Sequence, residues 1–141
     1  MNPIEPTDVS EAPRRRSVLL AEDDPQLRGL MSAALRRAGA EVLSFPDGIA
    51  LANQLDRAVL GGDPLPDLVI TDLAMPGMSG MRVVSALRRN RWPIPVLVVT
   101  AYADSEMRHA AKVLGSVTVL EKPIELEALC AAARIAWGGG A

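Results

Sequence analysis

Short apolar runs alternate along the chain with longer segments in which apolar residues recur at helical spacing. The runs at 17–21, 41–45, 68–71, 96–100 and 117–121 are four or five residues long and predict β-strands. The intervening segments, from Pro25 to Gly39, from Asp47 to about Leu60, at 79–90, at 104–114 and from Pro123 onward, predict helices. Five strands that alternate with five helices indicate an α/β fold with a doubly wound parallel sheet.

Local residue choices support these boundaries. Asp24 suits a helix N-cap and Pro25 the first helical turn, while Gly39 suits the helix end. The apolar faces of the first and last helices are predicted to comprise Leu27, Leu30, Met31, Ala34 and Leu35, and Leu126, Leu129, Cys130 and Ala133, respectively.

Composition narrows the function. The net charge is −2 and the pI about 5.4, which is not typical of a nucleic-acid-binding domain. The single cysteine, Cys130, excludes an internal disulfide and a zinc site built on cysteines, and it favours a cytoplasmic location. The longest apolar runs, such as 96–99, are too short to span a membrane.

The two ends differ from the middle of the chain. Residues 1–16 contain three prolines and several acids with little to bury, which predicts a disordered tail. Residues 17–137 are predicted to form the one domain, and residues 138–141 a flexible end.

Polar side chains gather where the predicted strands end, and this is where a parallel sheet with helices on both faces binds its ligands. Strand one is followed by Glu22-Asp23-Asp24, and strands three, four and five end at Thr71-Asp72, Thr100 and Glu121-Lys122. Clustered carboxylates favour a hard divalent cation such as Mg²⁺. A lysine and a threonine suit phosphoryl oxygens, and one carboxylate remains as a nucleophile, so the set predicts phosphoryl transfer.

The chain resembles the receiver domain of two-component response regulators over roughly residues 17–136. The resemblance rests on four stretches in family order: Val18–Pro25, Pro66–Gly80, Val98–Tyr102 and Leu120–Pro123. It implies a flavodoxin-like (βα)5 fold with strand order 2-1-3-4-5.

The resemblance also implies a role for each site residue. Asp72 accepts the phosphoryl group with the help of Lys122 and Thr100. Mg²⁺ is held by Asp23, by Asp72, by the backbone carbonyl of Ala74, and by Glu22 mainly through metal-bound water. The Lys122–Pro123 bond resembles one that is cis in the family.

Two positions depart from the family pattern. Glu22 stands where Asp is usual, which alters the metal geometry without removing a ligand. Val119 stands where the family often has Tyr or Phe, so the usual ring-flip response to phosphorylation is in doubt. Tyr102, two residues beyond Thr100, is a candidate substitute and a candidate modulator of the phosphoryl lifetime.

The function predicted is that of a single-domain response regulator that switches protein contacts. Its phosphodonor would be a histidine kinase or a histidine phosphotransfer protein, and it would catalyse only its own phosphorylation and dephosphorylation. Met1 and the lack of a following linker favour an independent protein over a fragment of a hybrid kinase or longer regulator. A haloacid-dehalogenase-type phosphatase would need an Asp at Ala74, and a degenerate scaffold would lack key site residues.

Other polar residues have simpler interpretations. Asp24 is interpreted as a helix cap rather than a metal ligand, and His109 as a solvated residue. The arginines at 36–37 and 88–91 are interpreted as charges that favour helix dipoles, with weak nucleic-acid contact as the alternative.

Overall fold

One parallel sheet organises the part of the chain that can be described. The computed structural model describes residues 15–72, 84, 85, 87, 88, 93–101 and 103–138. Its five strands are β1 (Arg16–Ala21), β2 (Ala40–Phe45), β3 (Leu68–Asp72), β4 (Val96–Thr100) and β5 (Val117–Glu121). They are all parallel and lie in the order β2-β1-β3-β4-β5, which confirms the predicted fold.

A helix follows each of strands β1, β2, β4 and β5. In the described residues these are α1 (Pro25–Arg37), α2 (Gly48–Leu60), α3 (Ser105–Leu114) and α4 (Leu126–Ala136). Between β3 and β4, residues 84, 85, 87 and 88 are also helical. The remainder of the predicted 79–90 helix and residues 1–14 of the predicted 1–16 tail lie outside the described residues, whereas Arg16 already belongs to β1.

Aspartates begin three of the helices. The side chains of Asp24, Asp47 and Asp104 accept hydrogen bonds from the backbone N–H groups of Gln26, Ala50 and Met107, respectively. Each bond satisfies a donor that has no partner within its helix. The interpretation of Asp24 as a cap is therefore confirmed.

The predicted start of the last helix is wrong. α4 begins at Leu126, three residues after Pro123, and its N-cap Glu125 makes no side-chain capping bond. The backbone N–H of Lys122 still donates to the Thr100 carbonyl, 2.7 Å away, so the chain at Pro123 is only leaving the sheet. The Lys122–Pro123 peptide bond is cis.

Two apolar layers cover the two faces of the sheet. On one face, alternate residues such as Leu20 and Ile70 pack with Met31 and Leu35 of α1 and Leu129 of α4. On the other face, the core comprises Leu19, Ala21, Val69, Val96 and Val98 of the strands, Leu51 and Leu55 of α2, and Val84, Leu87 and Ile94. These layers fix the central strands and therefore the positions at which those strands end.

Burial distinguishes the central strands from the edges. Every residue of β3 and β4 is buried, whereas β2 alternates between buried and exposed positions and β5 has no fully buried residue. Uninterrupted apolar runs thus indicate the strands that are covered on both faces. Leu30, predicted on the apolar face of α1, is 51% exposed, because the layer on that face is already filled by Met31, Ala34 and Leu35.

Candidate functional site

Three carboxylates meet at the carboxyl edge of the sheet. Ala21 of β1 pairs in register with Thr71 of β3, so the residues that follow, Glu22 and Asp72, lie side by side at the ends of these strands. One carboxylate oxygen from each of Glu22, Asp23 and Asp72 lies within 4.8 Å of the others. Glu22 and Asp72 are buried, whereas Asp23 is exposed. The sheet register thus assembles residues that are 50 positions apart.

A lysine ammonium lies between the two buried carboxylates. Lys122 Nζ is 2.6 Å from Asp72 Oδ2 and 3.1 Å from Glu22 Oε1. Thr100 pairs in register with Glu121, and the hydrogen bond from Lys122 N to Thr100 O continues that pairing by one residue. The Lys122 side chain therefore enters the cluster directly from the end of β5.

Burial and charge act in opposite directions on the ionisable groups here. Burial raises the pKa of Glu22 despite the opposing hydrogen bonds from Asp24 N and Lys122. Burial alone would lower the pKa of Lys122, but its hydrogen bonds and charge interactions with Asp72 and Glu22 outweigh burial and raise it. The Lys122 side chain therefore keeps its proton and its positive charge beside these two carboxylates.

Backbone contacts fix the position of Glu22. Its Oε2 accepts from Asp24 N at 3.0 Å, and its Oε1 faces Lys122. The guanidinium of Arg28, one turn into α1, donates to the Glu22 carbonyl oxygen at 2.8 Å. Both carboxylate oxygens are thus engaged within the protein, on a side chain that is only 1% exposed.

Thr100 ends β4 beside this cluster. Asp72 pairs in register with Val99, so Thr100 follows immediately after the partner of Asp72. Thr100 is buried and leads directly into the connection to α3. Its position joins the acidic cluster to that helix.

The remaining residues singled out from the sequence lie away from the acidic cluster or outside the described residues. Ala74 and Tyr102 lie outside the described residues. Val119 lies on the edge strand β5, pairs in register with Val98, and lines a groove of about 520 Å³ between β5 and α3. His109 is exposed on α3 beside this groove, and Cys130 is buried, with Sγ 3.5 Å from the Ala34 carbonyl oxygen.

Two supporting residues had no sequence pattern to identify them. Arg28 holds the Glu22 backbone, and Thr71 Oγ1 donates to the Asp72 carbonyl oxygen at 3.0 Å. Arg28 is one of many helix arginines, and Thr71, although it belongs to the polar group at the strand ends, carries no pattern that predicts its contact with Asp72. Only the packing of α1 against the strand ends shows what Arg28 does.

The donor set fits a hard divalent cation. The three carboxylates of the described cluster face one ammonium, that of Lys122, so the cluster carries surplus negative charge. Oxygen ligands of this kind are the ones that Mg²⁺ prefers. The cluster contains no histidine or cysteine among the described residues, so it lacks the ligands typical of zinc.

The order of the sheet and the acidic cluster define a class of protein: doubly wound α/β proteins with a cation site at the carboxyl ends of their strands. Within that class the family is specific. The chain belongs to the response regulator receiver domain family, whose model matches residues 18–134.

Similar proteins agree with this assignment. The chain is 33% identical over 92% of its length to the C4-dicarboxylate transport transcriptional regulatory protein DctD of Pseudomonas aeruginosa, covering 26% of it. It is 36% identical over 83% of its length to the transcriptional regulatory protein TcrA of Mycobacterium tuberculosis, covering 44% of it. Among solved structures, chemotaxis response regulator CheY4 of Vibrio cholerae matches with a TM-score of 0.72 and 29% identity, over 86% of this chain and 98% of that one.

The curated relatives are longer proteins. The chain spans 26% of DctD and 53% of the FixJ regulator of Bradyrhizobium diazoefficiens. The match therefore concerns the receiver domain that they share. It favours a receiver over the phosphatase alternative. In the part of the chain that is described, no helix is long and apolar enough to cross a bilayer.

Proposed function

We propose that this receiver domain accepts a phosphoryl group on Asp72 in a Mg²⁺-dependent reaction and thereby switches contacts with another protein. The observation that carries the proposal is the 2.6 Å contact between Lys122 Nζ and Asp72 Oδ2, beside two further carboxylates. This places a fixed cation next to the one acid that ends a fully buried central strand. A degenerate scaffold would have no need for that combination.

The chemical step follows from this placement. A carboxylate oxygen of Asp72 bonds to phosphorus while the bond between phosphorus and the donor's leaving group breaks. The leaving group departs with the electron pair of the broken bond. Lys122 remains beside the new acyl phosphate and offsets the negative charge on its oxygens. Thr100 donates its hydroxyl hydrogen to one of these oxygens.

Asp23 and Asp72 would hold Mg²⁺, together with the backbone carbonyl of Ala74. Asp23 is exposed and so able to coordinate an ion that arrives from solvent. Glu22 contributes less directly, because both of its oxygens already have protein partners. When bound, the ion supplies positive charge that lowers the repulsion between the carboxylates and the incoming phosphoryl group.

The partners proposed are a histidine kinase or histidine phosphotransfer protein as donor and a protein target downstream, all in the cytoplasm. Beyond its own phosphorylation and dephosphorylation, the domain would turn over no substrate. The proposed partners and the proposed lack of substrate turnover are supported by membership of the response regulator receiver domain family.

Substitution of the proposed acceptor tests the proposal. Wild-type protein incubated with acetyl phosphate and Mg²⁺ should gain the mass of one phosphoryl group, and Asp72→Asn should not, because an amide is not a nucleophile here. Asp23→Ala should strongly reduce the phosphorylated fraction through loss of the metal. Intact-protein mass spectrometry measures that fraction.

Asp24→Asn is the matched control. Asp24 is an exposed acid beside the cluster, but its side chain caps α1, and Asn caps equally well. This variant should be phosphorylated like wild type. A phosphorylated fraction in Asp72→Asn equal to that of wild type would refute the proposed acceptor.

The single-domain interpretation is also a proposal. It is tested by the mass of the native protein, measured by immunoblotting extracts of the source cells against the purified 141-residue chain. Equal mobility supports an independent regulator, and a larger product supports a domain of a longer protein.

A further inference from the structure

Arg88 connects three separate parts of the fold through its guanidinium. Nη1 donates to the carbonyl oxygen of Ile94 at 3.0 Å. Nε and Nη2 donate to the carbonyl oxygen of Gly115 at 3.1 and 2.9 Å, and Nη2 also lies 3.3 Å from the carbonyl oxygen of Ser116. The simple interpretation of Arg88 as a helix-dipole charge is therefore incomplete, because it binds backbone in other elements.

Two of the carbonyl groups that Arg88 binds, those of Gly115 and Ser116, belong to the turn that ends α3. Gly115 is the C-cap of α3, with φ +77° and its N–H bonded to the Ala111 carbonyl. Ser116 has φ +55°, a left-handed conformation that is uncommon for residues other than glycine. The Ser116 carbonyl also accepts from Val96 N at 3.0 Å, so this turn is tied to the start of β4 as well.

The geometry requires an arginine. A planar guanidinium can bind several carbonyl groups at fixed angles, whereas a lysine ammonium acts as one compact charge. Arg88 is partly buried, and burial lowers its pKa. The carbonyl oxygens that it contacts compensate for part of the hydration it has lost.

The other end of α3 is held differently. It begins at Ser105, five residues after Thr100, the proposed hydrogen-bond donor to the phosphoryl group, and four after the exposed Ala101. Near that end Met107 is buried, and the ion pair of Arg108 with Glu121 at 2.8 Å contacts β5 through side chains that are about half exposed. Ion pairs exposed to this degree contribute little to stability. The two ends of α3 thus differ in the polar contacts that attach them: an exposed ion pair at one end and a partly buried guanidinium at the other.

We propose that Arg88 is a positioning residue that fixes the C-terminal end of α3, so that a response starting at Thr100 moves only the N-terminal end of that helix. The inference rests on the proposed function for the origin of the response. The attachment itself exists without phosphorylation. The attachment of α3 by Arg88 and the response to phosphorylation can therefore be tested separately.

The first test measures amide hydrogen exchange without any phosphoryl mimic. In Arg88→Lys, amide exchange at Gly115 and Val96 should accelerate on the order of tenfold or more. The turn at 115–116 contains Gly115 and binds the Val96 N–H through the Ser116 carbonyl, so both amides become exposed more often when the turn opens. Arg36→Lys is the matched control, since Arg36 Nη2 donates to the Val42 carbonyl at 3.0 Å in another part of the fold. This control should leave the amide exchange rates of Gly115 and Val96 unchanged.

The second test compares backbone amide shifts with and without beryllofluoride, a phosphoryl mimic. In wild type the shift changes should concentrate in residues 101–108, and in Arg88→Lys they should extend through 112–117. The same distribution in both proteins would overturn the inference. Arg88→Gln serves as the second variant if Arg88→Lys does not fold.

The outcomes separate the two proposals. If neither protein responds to beryllofluoride, the proposed phosphoacceptor fails, and the exchange data alone decide whether Arg88 holds the end of α3. Unchanged exchange at Gly115 and Val96 in Arg88→Lys overturns the role of Arg88, whatever the response to the mimic.

Discussion

At the scale of single residues, the site depends on one ammonium between two buried carboxylates. Glu22 is 1% exposed and Asp72 is 6% exposed, so water compensates little of their charge. Lys122 contacts both and is itself only partly exposed. The same residue thus stabilises the unphosphorylated fold and is suited to stabilise an acyl phosphate.

Removal of that ammonium should destabilise the fold. For Lys122→Met we expect the free energy of unfolding to fall by about 3 kcal/mol, the low end for breaking a buried ion pair, because the lysine is partly exposed. Added MgCl₂ should restore more stability to the variant than to wild type, since a bound cation would replace the missing charge. Urea unfolding with and without Mg²⁺ measures both effects.

Lys112→Met is the control for that experiment, because Lys112 is exposed on α3 and away from the acidic cluster. The Lys112→Met substitution should change the free energy of unfolding by no more than about 0.5 kcal/mol. A Lys122→Met protein as stable as wild type in the absence of Mg²⁺ would contradict this account of the cluster.

At the scale of elements, three of the four helices with described bounds have a side-chain N-cap and one does not. α1, α2 and α3 each begin with an aspartate that accepts a backbone N–H bond, and α4 begins with Glu125, which accepts none. Glu125 already has the extended backbone of an N-cap, with φ −86° and ψ 131°. Only a suitable side chain is missing.

A shorter capping residue should therefore stabilise α4. We expect Glu125→Ser to raise the free energy of unfolding by about 0.5–1 kcal/mol, because the serine oxygen can reach an unpaired N–H of the first turn. Asp47→Ser, which exchanges one good cap for another on α2, should change it little. Thermal or urea unfolding of both variants provides the measurement, and a destabilised Glu125→Ser would show that Glu125 has another role.

At the scale of the whole molecule, the acidic cluster and α3 are connected through β4. Thr100 is buried at the end of β4, next to the residue that pairs with Asp72, and the chain reaches α3 five residues later. A signal must bias an element with two arrangements to be detected elsewhere. The connection from Thr100 to α3 is the element best placed for this.

Thr100→Ala should separate phosphorylation from the response. We expect the variant to accept a phosphoryl group on Asp72, because Lys122 and the acids remain. It should lose the amide shift changes over residues 101–108, because no hydroxyl is left to move toward the phosphoryl oxygen. Backbone amide spectra with and without beryllofluoride measure the response.

Thr118→Ala, at an exposed position on β5, should respond like wild type. Equal shifts in α3 for wild type and Thr100→Ala would contradict the proposed trigger. We also expect β5 to respond little, because Val119 is small and has no ring to reorient. Large shifts centred on Val119 would contradict that expectation.

The sequence by itself determined the elements and the residues that gather at the strand ends, because strand runs, helical periodicity and aspartate caps depend on neighbours a few positions apart. β4 and β5 have the predicted bounds, and β1 and β2 each begin one residue earlier than predicted. The strand order was not readable from the pattern of apolar residues. The resemblance to receiver domains implies the order 2-1-3-4-5, and the pairing of the strands confirms that order.

Only the tertiary structure decided which distant groups touch. Lys122 meets Asp72 across 50 positions, and Arg88 meets Gly115 across 27. Leu30 is exposed although its spacing matches that of the buried leucines, and α4 starts beyond its proline. Periodicity describes one element at a time, whereas these outcomes depend on which surfaces the packed layers leave open and on where each strand releases the chain.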